Sequence, residues 1–250
     1  MKSLLRKRDL LLIAVICVTA LCIFAQGIHT GKFKRAAAAL TEHVGATLII
    51  DAGHGGADGG AVSISGAKES EINLEIALKL NQIMGFYGVK TILTRNSETL
   101  DYSEKANTIR AKKVEDQNKR LRLINETDNA VLISIHQNTY PNGSPFGAQV
   151  LYAITDGSHE FADYMQNILI GALNTRNRRS ASRVPKSIML FNHINCPAIL
   201  IECGFLSNSE DERLLKTDSY RLKIATVIAT GYLANQNTLR ENHSGGTYES

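Results

Sequence analysis

Four side chains able to bind a metal or move a proton stand where apolar runs end. His54 follows "LIIDAG", His136 closes "VLISIH", Glu202 closes "AILIE", and Glu69 opens a stretch of helical periodicity. Short apolar runs bounded by glycine read as buried strands. In an open α/β sheet, sites gather outside the carboxyl ends of the strands. Two imidazoles and one carboxylate, with water in the fourth place, are the donor set of catalytic zinc. Such an ion acidifies water and polarises a carbonyl. A further carboxylate can take the water's proton and pass it to a leaving amine. The chemistry therefore asks for two glutamates in different roles, and the chain offers Glu69 and Glu202.

Each residue also has a plainer reading. A strand-end histidine is often structural. An acid that opens a helix is favoured by the dipole whatever else it does. Glu202 is the most telling of the four, because a carboxylate inside "AILIECGF" is costly without a partner. A buried salt bridge is its ordinary alternative. The loop "DAGHGGADGG" does not fit a nucleotide. Gly53 and Gly55 begin a G-x-G-x-x-G pattern, but Asp58 stands where the third glycine belongs. Gly60 and Gly66 are one residue too far apart for a phosphate loop, and Ala67 precedes Lys68. No helix follows directly to receive a phosphate at its N-terminus. The glycines instead let backbone pass close to a metal and a substrate.

The elements that must position these residues follow from periodicity. Ile72, Ile76, Leu80 and Met84 recur four apart, so residues 69–86 form a helix with one apolar face. Strands are expected at 47–53, 89–95, 129–138 and 147–154, and in "SIMLFN" and "PAILIECGF". Helices are expected at 104–126, with Leu121 and Ile124 inward, at 158–174, and from a Thr217 cap to about Asn235. The alternation predicts an α/β fold: a single domain with a central, mostly parallel or mixed sheet of about six strands flanked by helices. That domain spans 46–236, after a polar linker at 28–45 and before a polar tail, 237–250, expected to be disordered.

Residues 10–25 carry no charge and follow Lys2, Arg6, Lys7 and Arg8, the order of an export signal. The run is short for a membrane span, although Gln26 and Gly27 extend it. Residues 1–27 therefore read as a signal peptide or a retained anchor, with the basic end cytoplasmic and the domain exported. No lipidation pattern precedes Cys17 or Cys22. Cys196 and Cys203 lie on one extended run, about 23 Å apart, beyond the roughly 7 Å reach of a disulfide; no disulfide is expected. The net charge is +4, but outside the first ten residues 24 of the 28 basic and 23 of the 24 acidic residues remain. That near balance argues against a nucleic-acid partner.

The segments "IIDAGHGGADGGAV", "KESEINLEIALKL", "TILTR", "RLRLIN", "LISIHQN", "GAQVLY" and "PAILIECGFLSN" resemble, in this order, the zinc-dependent N-acetylmuramoyl-L-alanine amidase family of the amidase_3 type. The resemblance covers about residues 46–236. It implies that His54, Glu69 and His136 bind Zn2+ and that Glu202 is the catalytic acid/base. Glu71 is the rival to Glu69. The family's ligand acid directly follows a basic residue, here Lys68, and stands four before an asparagine, here Asn73, which selects Glu69.

The implied activity is hydrolysis of the amide between N-acetylmuramic acid and L-alanine of the peptidoglycan stem peptide. The stretch "YSEKANTIRAKKVEDQNKRLRLIN" is similar to the subgroup used in spore-cortex maturation, where amidase action precedes muramic-δ-lactam formation. Peptidoglycan is the implied partner, with the membrane if residues 1–27 are uncleaved; whether an unidentified activating protein is also needed stays open at the level of sequence. A vegetative autolysin, another zinc hydrolase of the wall such as a carboxypeptidase, and a catalytically silent wall-binding module are the competing readings.

Two positions depart from the family. Gln137 stands where a small residue is common, and Cys203 where a small or β-branched one is. A thiol there raises a Cys203–His193 nucleophile as an alternative. Strand alternation turns Cys203 away from Glu202, which favours a small buried hydrophobe instead. Residues 137–147 are too few for the site-blocking helix of some members. The stretch "NTRNRRSASRVPK", 174–186, has five cations and no acid. It reads either as a solvated loop or as a rim that pairs with stem-peptide carboxylates, Arg183 and Lys186 being the nearest candidates. Asn138 is also expected at the substrate.

Overall fold

The computed structural model describes residues 45–244, the side chains of 236–244 excepted. The expected signal or anchor, residues 28–44 of the linker, Cys17, Cys22 and residues 245–250 lie outside the described residues. Among those described, no helix is long and apolar enough to cross a membrane.

The compact unit begins at Gly45. Six strands form one mixed sheet: β1 (Thr47–Ala52), β2 (Thr91–Leu93), β3 (Ala130–Asn138), β4 (Gln149–Tyr152), β5 (Ser182–Arg183) and β6 (Ala198–Phe205), in the order β2-β1-β3-β6-β4-β5. β2, β1, β3 and β6 run parallel, while β4 lies antiparallel to β6 and carries β5 parallel to itself. The three longest apolar runs became β1, β3 and β6, side by side at the centre. This is where a strand covered on both faces must sit.

Alternation divides the core. Leu48, Ile50, Ile133, Ile135, Ile199 and Ile201 face one layer of helices: α1 (Glu69–Phe86), α3 (Ser158–Leu173) and α5 (Asp218–Ser244). Ile49, Leu132, Ala198 and Leu200 face the other layer, with Ile124 of α2 (Ile109–Asn125) and a 3₁₀ turn, Met189–Asn192. In α1, Ile76, Leu80 and Met84 are fully buried and Ile72 nearly so. Each such side chain contributes about 1.5–3 kcal/mol.

Several elements differ from expectation. α2 starts at Ile109 rather than at residue 104, because the Thr108 hydroxyl caps it by accepting from the Ala111 N–H at 3.1 Å. "SIMLFN" is not a strand. Leu190 and Phe191 are buried side by side between exposed Met189 and Asn192, which a turn permits and a two-residue alternation does not. The sixth strand is instead the two-residue β5. A further helix, α4 (Ser209–Leu215), begins where Asn208 Oδ1 accepts from the N–H groups of Glu210 and Asp211. Thr217 Oγ1 accepts from the Tyr220 N–H at the head of α5, which runs past Asn235 to Ser244. The connection between β3 and β4 holds turns and no helix. Cys196 and Cys203 are buried and free.

Candidate metal centre

β1 stops at Ala52, and the chain then presents His54 in the left-handed region, φ 61°. A non-glycine residue stays there only when its surroundings hold it. Two buried guanidinium groups do so. Arg95 donates Nε to Ala52 O at 2.9 Å and Nη2 to Gly53 O at 3.1 Å and Ser70 O at 2.7 Å. Arg120 donates Nη1 to Ala52 O at 2.7 Å and Nη2 to His54 O at 2.5 Å. Three successive carbonyls are thereby fixed from two sides. Arg120 is itself anchored by Asp51 at 2.6 Å and Asp116 at 2.8 Å.

The glycines have a specific reason at two positions. A Cβ on Gly53 would lie 2.3 Å from the His136 ring. One on Gly60 would lie 2.6 Å from Glu69 Oε2. No side chain larger than hydrogen fits at either.

Glu69 is the first residue of α1, 3% exposed, and its carboxylate is turned back to the loop. Oε2 accepts from the Ala61 N–H at 2.8 Å and Oε1 from the Gln137 N–H at 3.1 Å. His54 Nε2 stands 3.3 Å from Oε2, and His136 Nδ1 stands 2.9 Å from Oε1. One ligand-type atom from each of the three residues lies within 4.8 Å of the others. The two rings meet edge to face with centroids 5.0 Å apart. Glu71 points elsewhere, pairing with Lys68 at the surface at 3.1 Å.

The charge on Glu69 agrees with a cation site. Burial opposes ionisation of Glu69, but hydrogen bonds from His136 and His54 hold its carboxyl well below the usual range. Burial also opposes charge on His54, yet Asp58 and then Glu69 outweigh it and raise its pKa to about 9. Asp58 Oδ2 takes His54 Nδ1 at 2.9 Å and Lys113 Nζ at 2.9 Å. A carboxylate on one ring nitrogen fixes the tautomer that leaves the other free to ligate.

Glu202 lies beside the three, in β6, opposite His136 of β3 in the strand register. Its Oε2 is buried without a hydrogen-bond partner. Burial pushes its carboxyl up to about 7, with His136 and His54 pulling down and Glu69 pushing up. Among the described residues no Lys or Arg pairs with it, so the salt-bridge alternative does not describe this carboxylate. Cys203 faces the opposite layer, where burial raises its thiol far above the usual value, and His193 is exposed. Neither feature belongs to a nucleophilic pair.

The expected substrate residues fare differently. Asn138 follows His136 on β3, half-buried, with Oδ1 accepting from the Thr139 N–H. Arg183 and Lys186 are not brought to the site. β4 runs antiparallel to β6, so Gln149 lies level with Glu202 but Tyr152 lies level with Ile199. Arg183 is beside Tyr152, and the chain continues away from the site toward Lys186. The basic residue nearer that level is Arg179, stacked 4.7 Å over Phe205 and reaching Gln149 Oε1 at 3.4 Å. Arg95 and Arg120, which hold the His54 loop, were missed by the sequence reading. Their signal was an arginine ending the apolar run "TILTR" and another on the inner side of α2.

Three ligand-type residues around one point, with a buried unpaired carboxylate beside them at the edge of an α/β sheet, fit a hydrolase site able to hold a cation. Comparison gives the family. Residues 48–234 match Amidase_3, the N-acetylmuramoyl-L-alanine amidases, and the chain belongs to that family of peptidoglycan hydrolases. The germination-specific N-acetylmuramoyl-L-alanine amidase of Bacillus subtilis (strain 168) is 36% identical over 192 residues, 76% of this chain and 79% of the relative. The solved CwlD amidase of Clostridioides difficile, in complex with the GerS lipoprotein, is 35% identical with a TM-score of 0.73, covering 77% of this chain and 99% of that one. An N-acetylmuramoyl-L-alanine amidase of Clostridium difficile 630 is 29% identical with a TM-score of 0.65, covering 77% and 97%.

Proposed function

We propose that this chain is a zinc-dependent amidase of spore-cortex maturation, with His54, Glu69 and His136 as metal ligands and Glu202 as the catalytic acid/base. The observation that carries the reading is the convergence of the three donors within 4.8 Å, with Glu202 in register beside His136. Two imidazoles and one carboxylate, backed by Asp58, fit zinc by number and by type. Bound zinc would supply a Lewis acid for the scissile carbonyl and lower the pKa of water.

The protein's part follows from its own groups. Glu202, with a pKa raised to about 7 by burial, can accept a proton from water and release it at neutral pH. Its route is from the attacking water to the departing amine of L-alanine. Glu69, held by Ala61 and Gln137 N–H groups, is committed to the cation side and cannot share that role. The same site on a general vegetative autolysin would be chemically identical. The sporulation role is supported by the relative named for germination and by the CwlD neighbour. That neighbour's complex with a lipoprotein supports a protein partner for this chain as well. The charge order of residues 1–27 supports export, as a signal or an anchor, with 46–236 as the catalytic domain; residues 237–244 of the expected tail continue α5 instead. Spores formed without this chain are expected to have cortex lacking muramic-δ-lactam. Unchanged lactam content in such spores would assign the enzyme to another phase of wall turnover.

A further inference from the structure

We infer that Asn73 and Gln137 are positioning residues, a buried amide relay that sets the Glu69 carboxylate for its cation. The inference rests on the metal-binding reading above. Asn73 lies one turn beyond Glu69 on α1 and is fully buried; Gln137 follows His136 on β3 and is 3% exposed. Both are buried, so each polar atom needs an internal purpose.

The bonds have a direction. Gln137 Nε2 donates to Asn73 Oδ1 at 3.1 Å. This forces Asn73 to aim Nδ2 the other way, at Gly53 O (3.1 Å) and Glu69 Oε1 (3.4 Å). A flipped Asn73 would set its oxygen against two acceptors. Gln137 contributes a second time, through its backbone N–H to the same Glu69 Oε1 at 3.1 Å. One pair of amides thus ties together the loop before His54, the carboxylate and the strand of His136.

The arrangement leaves a defect that packing alone would not leave. Gln137 Oε1 is buried without a hydrogen-bond partner. An apolar residue at 137 would remove the orphan acceptor. What it could not do is orient Asn73. Apart from the two imidazoles, the donors to Glu69 are the Ala61 N–H, the Gln137 N–H and Asn73 Nδ2. Outer partners of a ligating carboxylate tune affinity by about 10–100-fold.

The test is zinc affinity of the full chain by competition with a chromophoric chelator. It is paired with the visible spectrum of the Co2+-substituted protein, which reports ligand geometry. Asn73→Ala and Gln137→Met are each expected to lose about tenfold or more in affinity and to shift the Co2+ spectrum alike. Their combination is expected to lose no more than Asn73→Ala alone, because one relay is broken once. Unchanged affinity and spectrum in Asn73→Ala, or losses that multiply in the double variant, would overturn the relay. Should Asn73→Ala not fold, Gln137→Met decides by the same two readouts: a loss and a shift support the relay, and wild-type values overturn it. Wild-type protein that binds no zinc would instead refute the metal reading itself.

Discussion

Glu202→Gln is expected to lower turnover on purified peptidoglycan by on the order of 10³-fold, while zinc content stays at the wild-type level. Glutamine keeps the shape and cannot carry the proton. The same change should stabilise the metal-free protein. Glu202 Oε2 is buried without a partner and its carboxyl is raised to about 7, burial being the main cause. A folded-state pKa above the unfolded value means that the folded state holds the proton more tightly. The group is therefore harmless below about pH 4.5 and destabilises increasingly as pH rises to about 7. At pH 8 the cost is about 3 kcal/mol, and the neutral amide avoids most of it. Melting of metal-stripped samples should show the variant above wild type at pH 8 and level with it near pH 4.5. A variant no more stable at pH 8 would mean that the carboxylate is not desolvated as described.

The second large effect is on the loop that carries His54. Arg120→Met removes the cation that Asp51 is built around, takes one of two guanidinium donors from Ala52 O and frees the carbonyl of His54. Burial alone would push the Asp51 carboxyl up; Arg120 foremost, then Ser134, His136 and Thr94, bring it down to about 2. A depressed carboxyl stabilises above its unfolded pKa, and that contribution is lost as pH falls through about 2. Without Arg120 a buried charge is left unpaired, at about 3–5 kcal/mol. Denaturant titration at pH 7 measures it. The deficit should narrow in acid, as the unpaired Asp51 takes a proton. Adding Asp51→Asn to Arg120→Met should recover part of the loss. A single variant with wild-type stability would show that the pair does not support the loop.

Much of this site was legible because its residues sit at ends of elements that periodicity reveals. "TLIIDAG", "LISIHQN" and "AILIECGF" became adjacent parallel strands, so His54, His136 and Glu202 reached one edge. Glu69 opens α1 as its position before Ile72 and Ile76 requires. What was illegible depends on tertiary geometry. The antiparallel direction of β4 decides which way the basic stretch travels, and no local pattern encodes it. That is why Arg183 and Lys186 fall away from the site and Arg179 lies nearer. The 3₁₀ turn in "SIMLFN" arises because two consecutive apolar residues find a core beside α2. Arg95 and Arg120 carry ordinary surface chemistry in sequence, and only the fold shows them buried and bonded to carbonyls.

The central claim is that three donors hold a cation whose presence lets Glu202 drive amide hydrolysis. Digestion of purified peptidoglycan, read by mass spectrometry, tests it most directly. The expected products are stem peptides with a free L-alanine amino terminus and glycan strands bearing unsubstituted lactyl groups. They should disappear when zinc is stripped and return when it is restored. Peptides cut at another bond, or the same products undiminished in metal-free enzyme, would contradict the account.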